Sequence, residues 1–469
     1  MLTLVLDPSL ETPLYRQLYL FIRQEIETGR LSTGNKLPSK RKLSAHLGIS
    51  QNTVTNAYEQ LIAEGYIYSK PKSGYFIDSF EVDFQRKSID TPASEKSLNT
   101  PHDQQYLFDF KTNTVDAEDF PFPLWAKISR DILHDQDQDL LSAVDPKGYY
   151  PLRVAIADYV HRYRGVNCSP DQIIIGAGTE YLIGLIVQLL GRDKHFAVEN
   201  PNYHRVYKVI KMNGAPVSLA SLDTKGVLPD SLEAKQIDVL HLTPSHQFPL
   251  GIVMPVGRRM ALLKWAESSD RHYLIEDDYD SEYRFAGRPI PALQGLDTSG
   301  KVIYLNTFTR SLAPSMRISY MILPEKLMAR YHQAFSFYSS TVPRFEQHTL
   351  HRFMAEGHFE RHLLRMRKLY RLRRNTILSA FKNSPLSHRL VIAGENAGLH
   401  LLIGLKGSTE SKMIAAALSV GIRVYGLSEY CIEPDDHLPD YIVILGYASF
   451  TPDELKEAVS RLIKAWQSL

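Results

Sequence analysis

Hydrophobic positions change their period along this chain, and the change divides it. Near the start, Leu14, Leu18, Ile22 and Ile26 recur every fourth residue, the apolar stripe of a helix that stops near Gly29. Leu43 and Leu47 predict a second helix, opened by Ser39 as N-cap and closed by Gly48. Val54, Ala57 and Leu61 predict a third, capped by Ser50 and ended by Gly65. The short gap Gly48-Ile49-Ser50 between two helices is a helix-turn-helix signature. Two short strands, from Tyr66 and from Tyr75, flank Lys70-Pro-Lys-Ser-Gly74 and predict a hairpin that would act as a wing. From 81 to 105 no apolar period survives, and mixed charge with Ser, Thr and Pro predicts a linker. Beyond it, apolar strands alternate with amphipathic helices, the pattern of an α/β fold with a mostly parallel sheet. The expected plan is a DNA-binding domain over 1–80, a linker over 81–105 and a large α/β domain over 106–469, ending in a smaller C-terminal α/β subdomain.

Composition narrows the classes. The chain has 469 residues, 44% hydrophobic and 23% charged, an ordinary globular balance with material for about three units of roughly 150 residues. Two cysteines, Cys168 and Cys431, make no disulfide framework, so a reducing compartment is expected. The start MLTLVLDPSLETP lacks the basic n-region of a signal peptide. No apolar stretch approaches the roughly 20 residues that span a bilayer, so a membrane partner is not expected. Net charge is only +2, so contact with nucleic acid must come from a local patch.

Such a patch exists. From Lys36 to Lys72 six Lys or Arg residues face two Glu, a local net of +4. Polar side chains open the third helix: Ser50, Gln51, Asn52, Thr53, Thr55 and Asn56 would approach base edges or phosphates in a major groove. Lys40, Arg41, Lys70 and Lys72 would hold phosphates, with Gly74 shaping the wing. A small helical dimerisation domain with a solvated basic face is the plainer alternative. The run GRLSTGNKLPSKRKLSAHLGISQNTVTNAYEQLIAEGYIYSKPKSGYFI resembles the winged-helix domain of GntR-type regulators over about Leu14 to Ile77.

The large region carries chemistry at its strand ends. Gly176-Ala-Gly178-Thr179-Glu180 is a glycine turn into a helix start, whose bare N–H groups suit an anion. Tyr203 follows a strand end and could stack on a ring, and Arg205 could hold a carboxylate; alone, they fit a surface loop with a packed tyrosine. Glu276-Asp277-Asp278-Tyr279-Asp280 puts four carboxylates in five residues. A metal site is one reading, but no histidine cluster accompanies the run in sequence, and no metal ligands are assigned. The other reading pairs Asp277 with a pyridinium nitrogen and brings Tyr279 to the cofactor's phenolic oxygen.

In this order the pieces resemble fold-type I, pyridoxal-phosphate-dependent aminotransferases. With the front domain, LR-x-AIA-x-Y, TPSHQFP-x-G, EDDYDSE and TF-x-x-SL-x-PS-x-R-ISY resemble the MocR/GabR-type subfamily of GntR regulators over nearly the whole chain. The resemblance implies a cytoplasmic, DNA-binding transcription factor, a head-to-tail homodimer on a double-stranded operator. Its large domain would bind pyridoxal 5'-phosphate and sense a small amine, an amino acid, the cofactor itself or a cofactor–amino acid adduct. By position, Gly178, Thr179 and Arg317 would hold the phosphate, Tyr203 the ring, Asp277 the pyridine nitrogen and Arg205 an effector carboxylate. One departure stands out. The family pattern has the Schiff-base lysine where this chain has Arg310. A guanidinium stays protonated and is no nucleophile, although it clamps phosphate or carboxylate well. Lysine-based transamination is therefore not expected, there is no catalytic residue to name, and any cofactor would be held non-covalently with Arg310 among its ligands. A working aminotransferase and a constitutive DNA-binding dimer with a structural large domain are the alternatives. The late strand from Tyr441 has no substrate-carboxylate arginine, and Arg423 is the nearest candidate. The basic run Arg361 to Arg374 reads as a solvated helix face.

Overall fold

The computed structural model describes residues 4, 6–8, 12–79, 106–112, 114, 116–135, 138–285, 290–434 and 438–469. It forms two compact units, 1–103 and 104–469. The linker expected over 81–105 lies outside the described residues.

In the first unit, the helix Leu14–Glu27 buries Leu18, Tyr19, Ile22 and Ile26, while Leu14 is only half-buried. The helix Lys40–Leu47 starts where Ser39 Oγ accepts the Lys42 N–H at 3.2 Å and ends at Gly48, whose φ of 66° is left-handed. The helix Gln51–Ala63 starts where Ser50 Oγ accepts the Thr53 N–H at 3.1 Å. Strands Ile67–Lys70 and Gly74–Ile77 pair antiparallel, and Lys36–Leu37, not foreseen as a strand, joins on the far side of Gly74–Ile77. Leu43, Val54, Leu61, Ile67 and Ile77 share one core with the first helix.

The second unit is built on a seven-stranded sheet. Its order is Ile173–Gly176, Ser319–Ile322, Val302–Thr307, Tyr273–Asp277, Val239–Leu242, Phe196–Glu199, Val217–Ala220. Only Ser319–Ile322 runs antiparallel to its neighbours. Strands covered on both faces need no polar alternation, which is why they read as unbroken apolar runs. On Val302–Thr307, Ile303 and Leu305 pack into one core layer and Tyr304 into the opposite one. A smaller antiparallel sheet of four strands, Leu390–Ala393, His400–Leu405, Ile442–Gly446 and Tyr425–Gly426, forms the C-terminal part. It packs against Ile377, Phe381, Leu455, Leu462 and Trp466 of helices His358–Lys382 and Pro452–Trp466.

The basic helix is solvated as expected at Arg361, Arg365, Lys368 and Arg371, and Arg373 is the exception. Arg373 is 2% exposed and donates to Asp116 at 3.0 Å, to Asp119 at 2.7 Å and to the Ala448 carbonyl at 2.6 Å. Its carboxylate partners lie over 250 residues upstream, so no local charge pattern shows them.

Three buried acids finish two of the parallel strand ends. Asp278 accepts two bonds from Arg164, at 2.7 and 3.1 Å, and others from Tyr304 Oη at 2.7 Å and Ser281 Oγ at 2.9 Å. Glu276 accepts the backbone N–H groups of Leu293 and Gln294 at 2.7 and 2.8 Å. Glu199 Oε2 accepts from Thr243, by N–H at 3.1 Å and hydroxyl at 2.7 Å. Burial pushes the Glu199 carboxyl up to about 7 despite those donors.

Two outcomes follow. Asp278→Ala leaves the Arg164 guanidinium buried without its carboxylate partner, and the loss is about 3–5 kcal/mol of stability. An unchanged urea midpoint for that variant would refute the ion pair's role. Glu199 keeps its proton in the folded state from its ordinary 4.5 up to about 7, whereas the unfolded chain loses it. Wild-type stability should therefore fall relative to Glu199→Gln as pH rises through that window, by on the order of 3 kcal/mol, and then level off. Parallel stability curves from pH 4 to 8 would show that Glu199 ionises normally.

Candidate functional site

The first unit exposes one polar face. Arg41, Gln51, Asn52, Asn56, Lys70 and Lys72 are all exposed. Lys40 is half-buried, over the Tyr75 ring at 5.5 Å and 3.9 Å from Glu59. Three of the expected DNA contacts have work within the helix itself. Ser50 and Thr53 hydroxyls bond each other at 2.8 Å, and Thr55 Oγ1 donates to the Gln51 carbonyl at 2.9 Å. Gly74 turns with φ of 115°, and a Cβ there would lie 3.1 Å from Lys36 Cε, so the wing needs its glycine. Lys72, at the wing tip, has φ of 60°.

In the second unit, the C-terminal ends of the parallel strands open onto one cavity of about 330 Å³. Thr179, Tyr203, Arg205, Asp277, Tyr279, Arg310 and Arg317 all line it. Gly178 is the N-cap before Thr179, at the start of helix Thr179–Leu190, with φ of 105°. A Cβ on Gly178 would meet Arg317 Nη2 at 2.2 Å, so the guanidinium lies directly on the glycine. Arg317 itself has φ of 51°, a left-handed backbone that a β-carbon disfavours. Its Nη2 also donates to the Ala177 carbonyl at 3.3 Å and to Glu180 at 2.9 Å. Glu180 takes a second bond from Arg205 at 3.1 Å.

Of the four carboxylates in the acidic run, only Asp277 faces the cavity. The run does have histidine company, contrary to the sequence expectation, from the neighbouring strand Val239–Leu242 and the loop after it. His241 Nε2 lies 3.3 Å from Asp277 Oδ2, and His246 Nδ1 lies 2.9 Å from Asp280. Asp277 Oδ1 is buried with no hydrogen-bond partner. Tyr279 Oη bonds His246 at 3.0 Å, and burial drives its phenol well above the ordinary range. Among the described residues, no three His, Cys, Asp or Glu gather as metal ligands.

Arg310 follows the strand Val302–Thr307. Its guanidinium lies over the Tyr279 ring at 5.8 Å and donates to the Thr112 carbonyl, and its own carbonyl accepts Tyr283 Oη at 3.2 Å. Arg423 is not among the cavity residues; it donates to Tyr106 Oη at 3.0 Å instead. Residues the sequence reading passed over are Lys111, Thr114, Glu180, Asn202, His241, Thr243, Phe248, Thr307 and Thr309. Several flank the motifs already quoted, so proximity to them was the available signal. Lys111 and Thr114 come from a segment some 200 residues upstream of Arg310, with no periodicity to point at it.

These shapes have known counterparts. The gntR family of bacterial regulatory proteins matches residues 14–77, and the class I and II aminotransferase family matches residues 107–462. The HTH-type transcriptional regulator YdeL of Bacillus subtilis (strain 168) is 39% identical over 469 residues, covering 99% of each chain. The probable rhizopine catabolism regulatory protein MocR of Rhizobium meliloti is 32% identical over 480 residues, covering 99% of this chain and 96% of its own. The crystal structure of the multiple substrate aminotransferase of Thermococcus profundus superposes with a TM-score of 0.68 at 24% identity, over 78% of this chain and 92% of that one. A DNA-reading helix and wing joined to an aminotransferase fold, in full-length likeness to such regulators, places the chain in the MocR/GabR-type subfamily of GntR bacterial transcriptional regulators.

Proposed function

We propose that this regulator binds a double-stranded operator through its winged helix and senses a pyridoxal-phosphate-type ligand non-covalently in the large cavity. The observation that carries the second half is the unpartnered, buried Oδ1 of Asp277 on the cavity wall. A buried acceptor without a donor is costly, and a protonated ring nitrogen supplies one. The remaining walls suit the same ligand. The N–H groups at the start of Thr179–Leu190 and the Arg317 guanidinium favour a phosphate, and Tyr203 offers a ring face. When bound, such a cofactor supplies an electron sink to an attached amine.

Charge supports an anionic ligand. Lys111, Arg205, Arg310 and Arg317 line the cavity against the carboxylates of Glu180 and Asp277, a surplus of two positive charges. Arg310 adds recognition without nucleophilicity, which favours sensing over transamination. Arg205 is the proposed seat of an effector carboxylate, from a small amine or amino acid. The cytoplasm is the proposed location, and a head-to-tail homodimer the proposed assembly. Leu141, Met212 and Phe337 are exposed apolar side chains available to a second copy.

On DNA, Arg41 sits on a phosphate in this reading. Arg41→Ala should weaken binding about equally across operator sequences and lower the salt slope by about one. A wild-type salt slope in that variant, measured by fluorescence anisotropy, would remove the assignment. In the cavity, calorimetric titration with pyridoxal 5'-phosphate should show saturable binding. Borohydride treatment and mass spectrometry should find no covalent adduct on the wild type and an adduct at position 310 in Arg310→Lys. An adduct on Lys111 of the wild type would overturn the non-covalent reading, and a failure of any protein to bind would overturn the cofactor itself.

A further inference from the structure

The anion-binding corner of the cavity already contains an anion belonging to the chain. Glu180 is the second residue of helix Thr179–Leu190, beside the N–H groups that would face a phosphate. Its two oxygens divide between two cavity arginines: Oε1 takes Arg205 at 3.1 Å and Oε2 takes Arg317 at 2.9 Å. Burial pushes this carboxyl upward, but its own backbone N–H and the guanidiniums of Arg317 and Arg205 outweigh that and hold it below its ordinary value.

A structural role explains this arrangement poorly. The arginine side chains are 63% and 49% exposed, and exposed ion pairs contribute little stability. Arg317 does not need Glu180 to be placed, since its left-handed backbone, the Ala177 carbonyl and the bare face of Gly178 already fix it. Glutamate is also an odd choice for a wall that must receive a phosphate, because like charges repel at that range.

We propose that Glu180 is a tethered competitor: its carboxylate fills the place of a phosphate monoester when the cavity is unliganded and must be displaced for one to enter. The proposal rests on reading this corner as the phosphate end of the cavity. It makes Glu180 a specificity residue. Free inorganic phosphate gains only the contacts that Glu180 already makes, so it is excluded. A phosphorylated ring compound also gains the walls at Tyr203 and Asp277, so it displaces the carboxylate.

The test uses the full-length protein and Glu180→Gln, which keeps the side-chain shape and removes the charge. Calorimetry with pyridoxal 5'-phosphate should give about tenfold or tighter binding in the variant, in the range by which single close charges tune affinity. Unphosphorylated pyridoxal should bind the two proteins alike. Inorganic phosphate should raise the unfolding temperature of the variant and leave the wild type unmoved. Equal or weaker pyridoxal phosphate binding by the variant would overturn the role of Glu180 while leaving the cofactor reading in place. If pyridoxal phosphate binds neither protein but inorganic phosphate still separates them, the cofactor reading fails and the tethered competitor stands. If neither probe separates them, the competitor is refuted. Glu180→Ala, tested identically, decides the matter should the glutamine variant not fold.

Discussion

Parallel strand order is the constraint on which the large unit depends. Strands that run the same way deliver all their following loops to one edge of the sheet. Here that edge collects the turn after Gly176, the loop after Glu199, the loop after Leu242, the acidic run after Tyr273 and the turn after Thr307. Such an edge is also where backbone and side-chain polarity must be reconciled with a dry core. The chain does this with acids whose partners come from elsewhere: Glu199 with Thr243, Glu276 with the backbone of Leu293 and Gln294, Asp278 with Arg164 and Tyr304. Those three carboxylates are turned inward, and Asp277 faces the cavity. Glu276, Asp277 and Asp278, consecutive in sequence, thus part company by the direction each side chain takes at the strand end.

Arg310 changes what such an edge can do. An amine at that point can be consumed and regenerated, whereas a guanidinium holds its proton throughout and offers only direction and charge. Around it the walls keep a stacking tyrosine, an unpartnered carboxylate oxygen and a helix start. The cavity therefore presents a fixed cation at that point. Its relatives by whole-chain likeness are named as regulators.

Local signals in the sequence were faithful wherever the cause was local. Ser39 and Ser50 cap their helices, Gly48 closes the second helix in a left-handed turn, and the apolar runs became strands covered on both faces. Motif spacing brought seven expected cavity residues to one place. What stayed hidden was set by partners far away in sequence. Nothing near Arg373 announces Asp116 and Asp119, and nothing near Asp277 announces His241. Lys111 belongs to a stretch without period, and its presence at the cavity comes from how that stretch threads past the C-terminal sheet. The hydroxyls of Ser50, Thr53 and Thr55 carry bonds within the helix, because a helix start and a recognition surface call for the same residue types.

The stretch that carries Lys111, Thr112 and Thr114 is the first described chain after residues 80–105, which tie the DNA-reading unit to this one. Among its anchors, Arg373 grips Asp116 and Asp119, Arg310 grips the Thr112 carbonyl, and Phe108–Asp109 pairs with Ile422–Arg423. Arg310 thus lines the cavity and, through the Thr112 carbonyl, holds the same short segment that supplies Lys111 and Thr114 to the cavity wall.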